Sequence, residues 1–283
     1  MALNWAILGG VAPTDLTAAR ESAHHAAQWA TKAARANLVT RADDSQSSLT
    51  WDHRHGALVS QPMGGNAMRI GLRLFDLTLL AMNGDQIAET HGLDGQREAQ
   101  AGRFVDEQLT RFGLKPASPV DLPYAMPPHP VADGAAYSVG AHGDALAELG
   151  RWFEAAADLL EAQRAKLIRL SPGPSPVRCW PHHFDIATLV GLEDGEPETA
   201  RAIGIGMAPG DEAYAQPYFY INPWPNLDAD DLPALPPPGQ WHRQGFVGAV
   251  ATAEQVLGLA DRRDGLTRFV DAAVAGGREK LGV

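Results

Sequence analysis

The order of apolar patterns predicts an α+β fold of two sheet-plus-helix lobes with largely antiparallel strands. Helical and strand-like patterns come in segregated blocks, helix, strands, helix and then helix, strands, helix, rather than in the alternation that builds a parallel sheet. Two Pro-rich stretches, Leu114–Pro130 and Asn222–Pro238, interrupt the blocks and read as extended loops, because Pro lacks a backbone donor and restricts the residue before it. The chain of 283 residues is long enough for two lobes that each bury a core. The first Pro-rich stretch sets the expected boundaries: an N-terminal lobe over 1–115, a linker over 116–141 and a C-terminal lobe over 142–283.

The first helix reads from Thr14 to Ala36, where Pro13 and Thr14-Asp15 are start signals and Leu16, Ala19, Ala23, Ala26, Ala30 and Ala33 make a small-residue face. A second runs from Gln96 to Phe112, with Ala101, Phe104, Val105, Leu109 and Phe112 on one stripe and Gly113 at the stop, and is expected to pack on a sheet. The strongest spans Asp144–Leu170. Leu146, Leu149, Phe153, Ala156, Leu160 and Leu167 face one way there, and Glu148, Arg151, Asp158, Glu161 and Arg164 are expected to face water. Thr252–Leu281 opens on the capping-box pattern Thr252-Ala-Glu-Gln255 and is interrupted near Asp264-Gly265, which predicts two helices. Strand-like runs are Ser48–Asp52, Ala57–Gln61, Arg69–Met82, Val177–Leu192, Ala200–Met207, Tyr218–Asn222 and Gln244–Val250. Met1–Gly10 has no Lys or Arg before its apolar run and reads as a strand or tucked-in arm rather than a secretory signal.

The two halves repeat a sequence of events at an offset of about 130 residues, which suggests an internal duplication. Thr14 against His142 opens the long helix, Trp51 against Trp180 sits in the strand after it, and Arg69-Ile-Gly-Leu compares with Arg201-Ala-Ile-Gly. On that frame the second half carries an insertion over about 208–240, and insertions on a repeated frame tend to hold function.

Charge excludes some partners. Lys and Arg number 23 against 34 Asp and Glu, a net charge of -11 whose mean field repels nucleic acid and anionic membrane surfaces. No run approaches the roughly 20 apolar residues that a membrane span needs. The single Cys179 excludes an intramolecular disulfide and the multi-cysteine zinc or iron–sulfur arrangements, and fits a reducing, cytoplasmic setting. No cofactor is designated, and homo-oligomerisation is left open.

The densest cluster of reactive side chains is Ser175–Ala187. Read as a straight strand, it places Cys179, His183 and Asp185 on one face and Trp180, His182 and Phe184 on the other. Cys179 and His183 would then lie about 13 Å apart, too far for a nucleophile and its base. His183 and Asp185, about 7 Å apart between Cα atoms, could share a hydrogen bond that fixes the imidazole tautomer, which makes His183 the candidate base or ligand and Asp185 its orienting partner. A satisfied structural His–Asp pair is the competing reading.

Next, Pro209-Gly210 makes a turn that would present Asp211 and Glu212 to a pocket lined by Tyr214, Tyr218, Tyr220 and Trp224, with Arg243 beside it. The competing reading packs the tyrosines on one sheet face and leaves the acids in a solvated turn. His182, His183, Asp185, Glu212 and His242 together carry the nitrogen and oxygen ligand types for zinc, manganese or iron. Asp52-His-Arg-His55 offers two histidines on one strand face, or a solvated turn before Gly56. Gly204-Ile-Gly206 is followed by Gly210, the wrong spacing for a dinucleotide loop, and the sequence has no phosphate-binding loop, nucleophile elbow or paired-His zinc helix.

The order Ser175-Pro-Val177, Phe184-Asp185-Ile-Ala187, Tyr218-Phe-Tyr220 and Pro223-Trp-Pro225 resembles an uncharacterised bacterial domain-of-unknown-function family, in which Ser-Pro-Val leads to Phe-Asp-Leu-Ala and a later aromatic strand ends in Pro-x-Pro. Its specific part is residues 175–225, and it departs from the family at His182-His183, where members carry small residues such as Gly-Ser. The resemblance implies the architecture and gives weight to Asp185 and Tyr220; it implies no activity, cofactor or substrate. The combined expectation is a small-molecule-binding protein with its site in the C-terminal lobe, with catalysis left open. The alternatives are a metal-dependent hydrolase and a non-catalytic protein-interaction module built on the Pro-rich and aromatic loops.

Overall fold

The computed structural model describes residues 4–196 and 199–283, so residues 1–3 of the expected N-terminal arm lie outside the described residues. The chain divides into two compact units. The N-terminal unit comprises Asp15–Glu154 and Arg178–Phe184; the C-terminal unit comprises the arm up to Thr14, Ala155–Val177 and Asp185–Val283. Segment 116–141 falls inside the N-terminal unit.

In the N-terminal unit, α1 (Thr17–Asn37) precedes β1 (Thr50–Asp52), β2 (Ala57–Val59), β3 (Met68–Arg73), β4 (Thr78–Asn83) and β5 (Gln86–Gly92), followed by α2 (Glu98–Arg111). The strands pair in chain order, antiparallel throughout, and α1 packs on β3 while α2 packs on β4. Next comes α3 (Gly143–Leu167), divided between the units after Glu154. Beyond β6 (Gly173–Pro174), β7 (Arg178–Trp180) returns to the N-terminal unit, where Cys179 and Leu49 exchange backbone hydrogen bonds of 2.8 and 2.9 Å.

The C-terminal unit continues with β8 (Asp185–Gly191), β9 (Ala202–Ala208), β10 (Tyr218–Trp224), β11 (Gln240–His242), β12 (Gly248–Thr252), α4 (Ala253–Leu257) and α5 (Arg262–Leu281). Its strands run β11-β12-β10-β9-β8-β6, again antiparallel. The predicted α+β class with antiparallel sheets is therefore correct. Phe219 and Ile221 of β10 are buried on one sheet face and α5 packs against that strand. The N-terminal arm is tucked in, since Arg262 donates to the carbonyls of Trp5 (3.0 Å) and Leu8 (2.8 Å). Among the described residues no helix is long and apolar enough to cross a membrane.

Several elements differ from their sequence reading. Arg69–Met82 is a hairpin rather than one run: β3 and β4 are joined by a 3-10 turn at Leu74–Asp76, with Leu77 in the left-handed region at φ 45°. Strand β5 has no signal in the sequence, because most of it is exposed and it has no apolar alternation. The final helices break at Gly258–Asp261, with Asp261 capping α5, so Gly265 lies inside α5. Glu148 does not face water; it is fully buried, and Arg151, one turn on, donates to it at 2.7 Å. Burying a carboxylate without such a partner is costly.

Candidate functional site

In the C-terminal unit the sheet face opposite α5 gathers four of the expected residues. Tyr218 and Tyr220, two apart on β10, point to the same side. The ring of Tyr220 lies over Gly206, its cross-strand partner on β9, and its hydroxyl donates to Oδ2 of Asp185 at the start of β8. Tyr218 donates to Oδ2 of Asp211 at 2.6 Å, while Asp211 Oδ1 accepts the backbone N–H groups of Ala213 and Tyr214 and so fixes its own turn. Burial, and then the bond to Asp211, raise the Tyr218 hydroxyl well above the usual phenol range.

Three further residues, Tyr214, His242 and Phe246, extend the row. His242 gives its Nε2 proton to the Gln244 carbonyl at 2.5 Å, which leaves Nδ1 to accept from the Tyr214 hydroxyl at 2.9 Å. Ring centroids step along it at 6.2 Å (Tyr220–Tyr218), 4.8 Å (Tyr218–Tyr214), 5.5 Å (Tyr214–His242) and 4.2 Å (His242–Phe246). Glu212 and Arg243 stand exposed in the flanking turns, and Trp224 is exposed at the far end of β10. All three tyrosine hydroxyls are thus given to acceptors within the protein, so the cluster braces the sheet face as built.

The segment 175–187 is not a straight strand, which removes the premise that separated Cys179 from His183. Trp180 ends β7, the carbonyl of Trp180 accepts from the N–H groups of His183 (3.2 Å) and Phe184 (2.7 Å), and Phe184 turns at φ 59°. His183 and Asp185 fall in different units, His182 and His183 are exposed in the turn with rings 4.3 Å apart, and Cys179 is fully buried. Partial desolvation, and then the neighbouring His183, lower the His182 imidazole below its ordinary value. At the front of the chain Asp52 Oδ1 accepts the N–H groups of Arg54 and His55, closing a turn; His55 bonds Asp52 at 2.7 Å and His53 bonds Glu154 at 2.9 Å, so the two histidines serve separate carboxylates. Among the described residues no group of three or more His, Cys, Asp or Glu could hold a metal ion.

The buried face of α1 is polar as well as small, unlike its sequence reading. Every residue from Ser22 to Thr31 is buried, so His24, His25 and Gln28 have no solvent to bond and must find partners inside the protein. His24 Nε2 donates to the Pro181 carbonyl at 2.8 Å, and Gln28 Nε2 donates to the same oxygen at 2.9 Å. Burial pushes the His24 imidazole down to about 4, and its ring stacks on Phe184 at 4.9 Å. On its other side α1 pins the Pro-rich segment, which has no regular structure of its own. Tyr124 donates to Gln28 Oε1 (2.8 Å) and His25 Nε2 to the Pro127 carbonyl (2.8 Å). His129 Nδ1 accepts from Val131, so its Nε2 donates to Ser22 Oγ at 3.2 Å.

Between α1, the start of α2 and this pinned segment lies an open pocket of about 370 Å³, lined from α1 by His25, Gln28, Trp29 and Lys32. These positions follow i, i+3, i+4, i+7 and form one helical face. Glu98 and Ala99 line it from α2, and Leu122, Met126 and Ala132 from the Pro-rich segment. Trp29 lies against Gly102 and donates its indole N–H to Glu98 Oε2 at 2.8 Å; the Tyr137 hydroxyl donates to Oε1. Burial, and then Glu98, raise that hydroxyl well above the phenol range. The available signal was a polar and aromatic stripe inside an alanine-rich helix.

No family model matches the chain, and neither a curated protein nor a solved structure matches it.

Proposed function

We propose that the protein binds a small molecule in the pocket between α1, the start of α2 and the Pro-rich segment. One observation carries this reading: a concavity of about 370 Å³ whose apolar walls, Leu122, Met126, Ala99 and Ala132, meet a few fixed polar groups on one face of α1. That size and mixture fit a small organic ligand. The floor is pre-organised, because Trp29, Gln28 and His25 are each held by hydrogen bonds, and pre-organisation lowers the cost of binding.

A second reading keeps the site in the C-terminal unit, favoured by the convergence of Asp185, Asp211, Tyr218 and Tyr220. A ligand there would compete with internal hydrogen bonds, and each one displaced lowers its affinity.

Ligand-observed NMR with a fragment library separates the two. Fragments that bind the wild type should be lost in Ala99→Phe, which puts a ring into the pocket from an exposed position on α2, and retained in Asp185→Asn. The reverse pattern supports the second reading. Absence of hits removes the first.

A further inference from the structure

Hydrogen-bonding capacity around the pocket is unevenly spent. Glu98 uses both carboxylate oxygens, for the Trp29 indole and the Tyr137 hydroxyl. Gln28 uses both ends of its amide, and His25 gives its Nε2 proton to Pro127. Lys32 differs. Its ammonium lies 5.0 Å from the centroid of the Trp29 ring, and among the described residues it makes no ion pair and no hydrogen bond. An ammonium carries three donors, so Lys32 is the lining residue free to give charge-assisted hydrogen bonds to a molecule arriving from solvent. It forms no ion pair with Glu98, although both contact Trp29.

Resting on the pocket reading above, we infer that the ligand is a small amphipathic monoanion, with its carboxylate on Lys32 Nζ and its hydrocarbon or aromatic body against Leu122, Met126 and Trp29. A ligand cation would meet Lys32 itself, and each Glu98 oxygen, already accepting from Trp29 or Tyr137, has a single lone pair left to offer it. The chain's net charge of -11 does not steer an anion inward. Selection therefore arises at contact range, where screening by salt is weakest.

Calorimetric titration of the full chain with four probes on one skeleton tests this: 4-methylpentanoate, 4-methylpentanamide, 3-methylbutylamine and leucine. The acid should bind, with the amide and the amine about tenfold weaker or more, the span of one charge-assisted hydrogen bond. Lys32→Gln should erase the gap between acid and amide and Lys32→Arg should keep it, with unchanged melting curves showing that both variants fold. An amide that binds as well as the acid, or leucine binding more tightly than the acid, overturns the anion assignment and leaves the pocket standing. Failure of all four probes also overturns it, and the fragment screen then decides whether the pocket reading falls too.

Discussion

Tyr220 spans Gly206 to reach Asp185: a methyl group at position 206 would stand 2.4 Å from Cζ and the hydroxyl oxygen of that ring. The large residue and the missing side chain are one feature of the sheet face. Gly206→Ala should therefore destabilise the fold by about 1–3 kcal/mol, as overpacking does. The same change should cost much less in a Tyr220→Ala background. Urea denaturation of the four proteins measures the coupling, and additive losses would sink this account.

His24 makes stability depend on pH in a set direction. Its folded-state value near 4 lies below the ordinary 6.5, so the unfolded chain takes up the proton first as pH falls. The stability it contributes is complete above pH 6.5 and is lost between 6.5 and 4, at no more than about 1.4 kcal/mol per pH unit. His129 and His182 shift the same way through burial and add to the slope. Denaturation midpoints from pH 7 to 4.5 should fall in the wild type and fall less steeply in His24→Gln; equal slopes would remove His24 from the account.

Gly102→Ala sets two effects against each other. Alanine favours an α-helix by about 1 kcal/mol over glycine. Its Cβ would, however, lie 2.6 Å from Cη2 of Trp29, a rigid ring already bonded to Glu98. The clash should win, with a net loss of about 1–2 kcal/mol and altered tryptophan fluorescence. A stabilised variant with unchanged emission would contradict this.

Tyr124→Phe leaves Gln28 Oε1 without its donor inside the protein. The expected loss is about 1–2 kcal/mol, and the Pro-rich segment should become more sensitive to limited proteolysis. Unchanged cleavage would mean that the bonds of His25 and His129 suffice to hold it.

The sequence made the helices and most strands legible because burial imposes a period on them. It concealed what depends on single backbone conformations: Leu77 at φ 45° and Phe184 at φ 59° turn the chain where neither residue type signals a turn. Strand β5 has too little buried surface to leave a pattern. The convergence of Asp185, Asp211, Tyr218 and Tyr220 was readable from strand alternation and a Pro-Gly turn. The α1 stripe was not, because His25, Gln28 and Lys32 look like a solvated helix face until the Pro-rich segment covers it.

Two donors from α1 converge on the carbonyl of Pro181, more than 150 positions further along the chain. The N-terminal unit is thus unfinished until the ribosome has released residues 178–184. A fragment cut after Glu154 would hold His24 and one donor of Gln28 in a dry helix with no acceptor, so neither unit can be excised as one continuous stretch of gene.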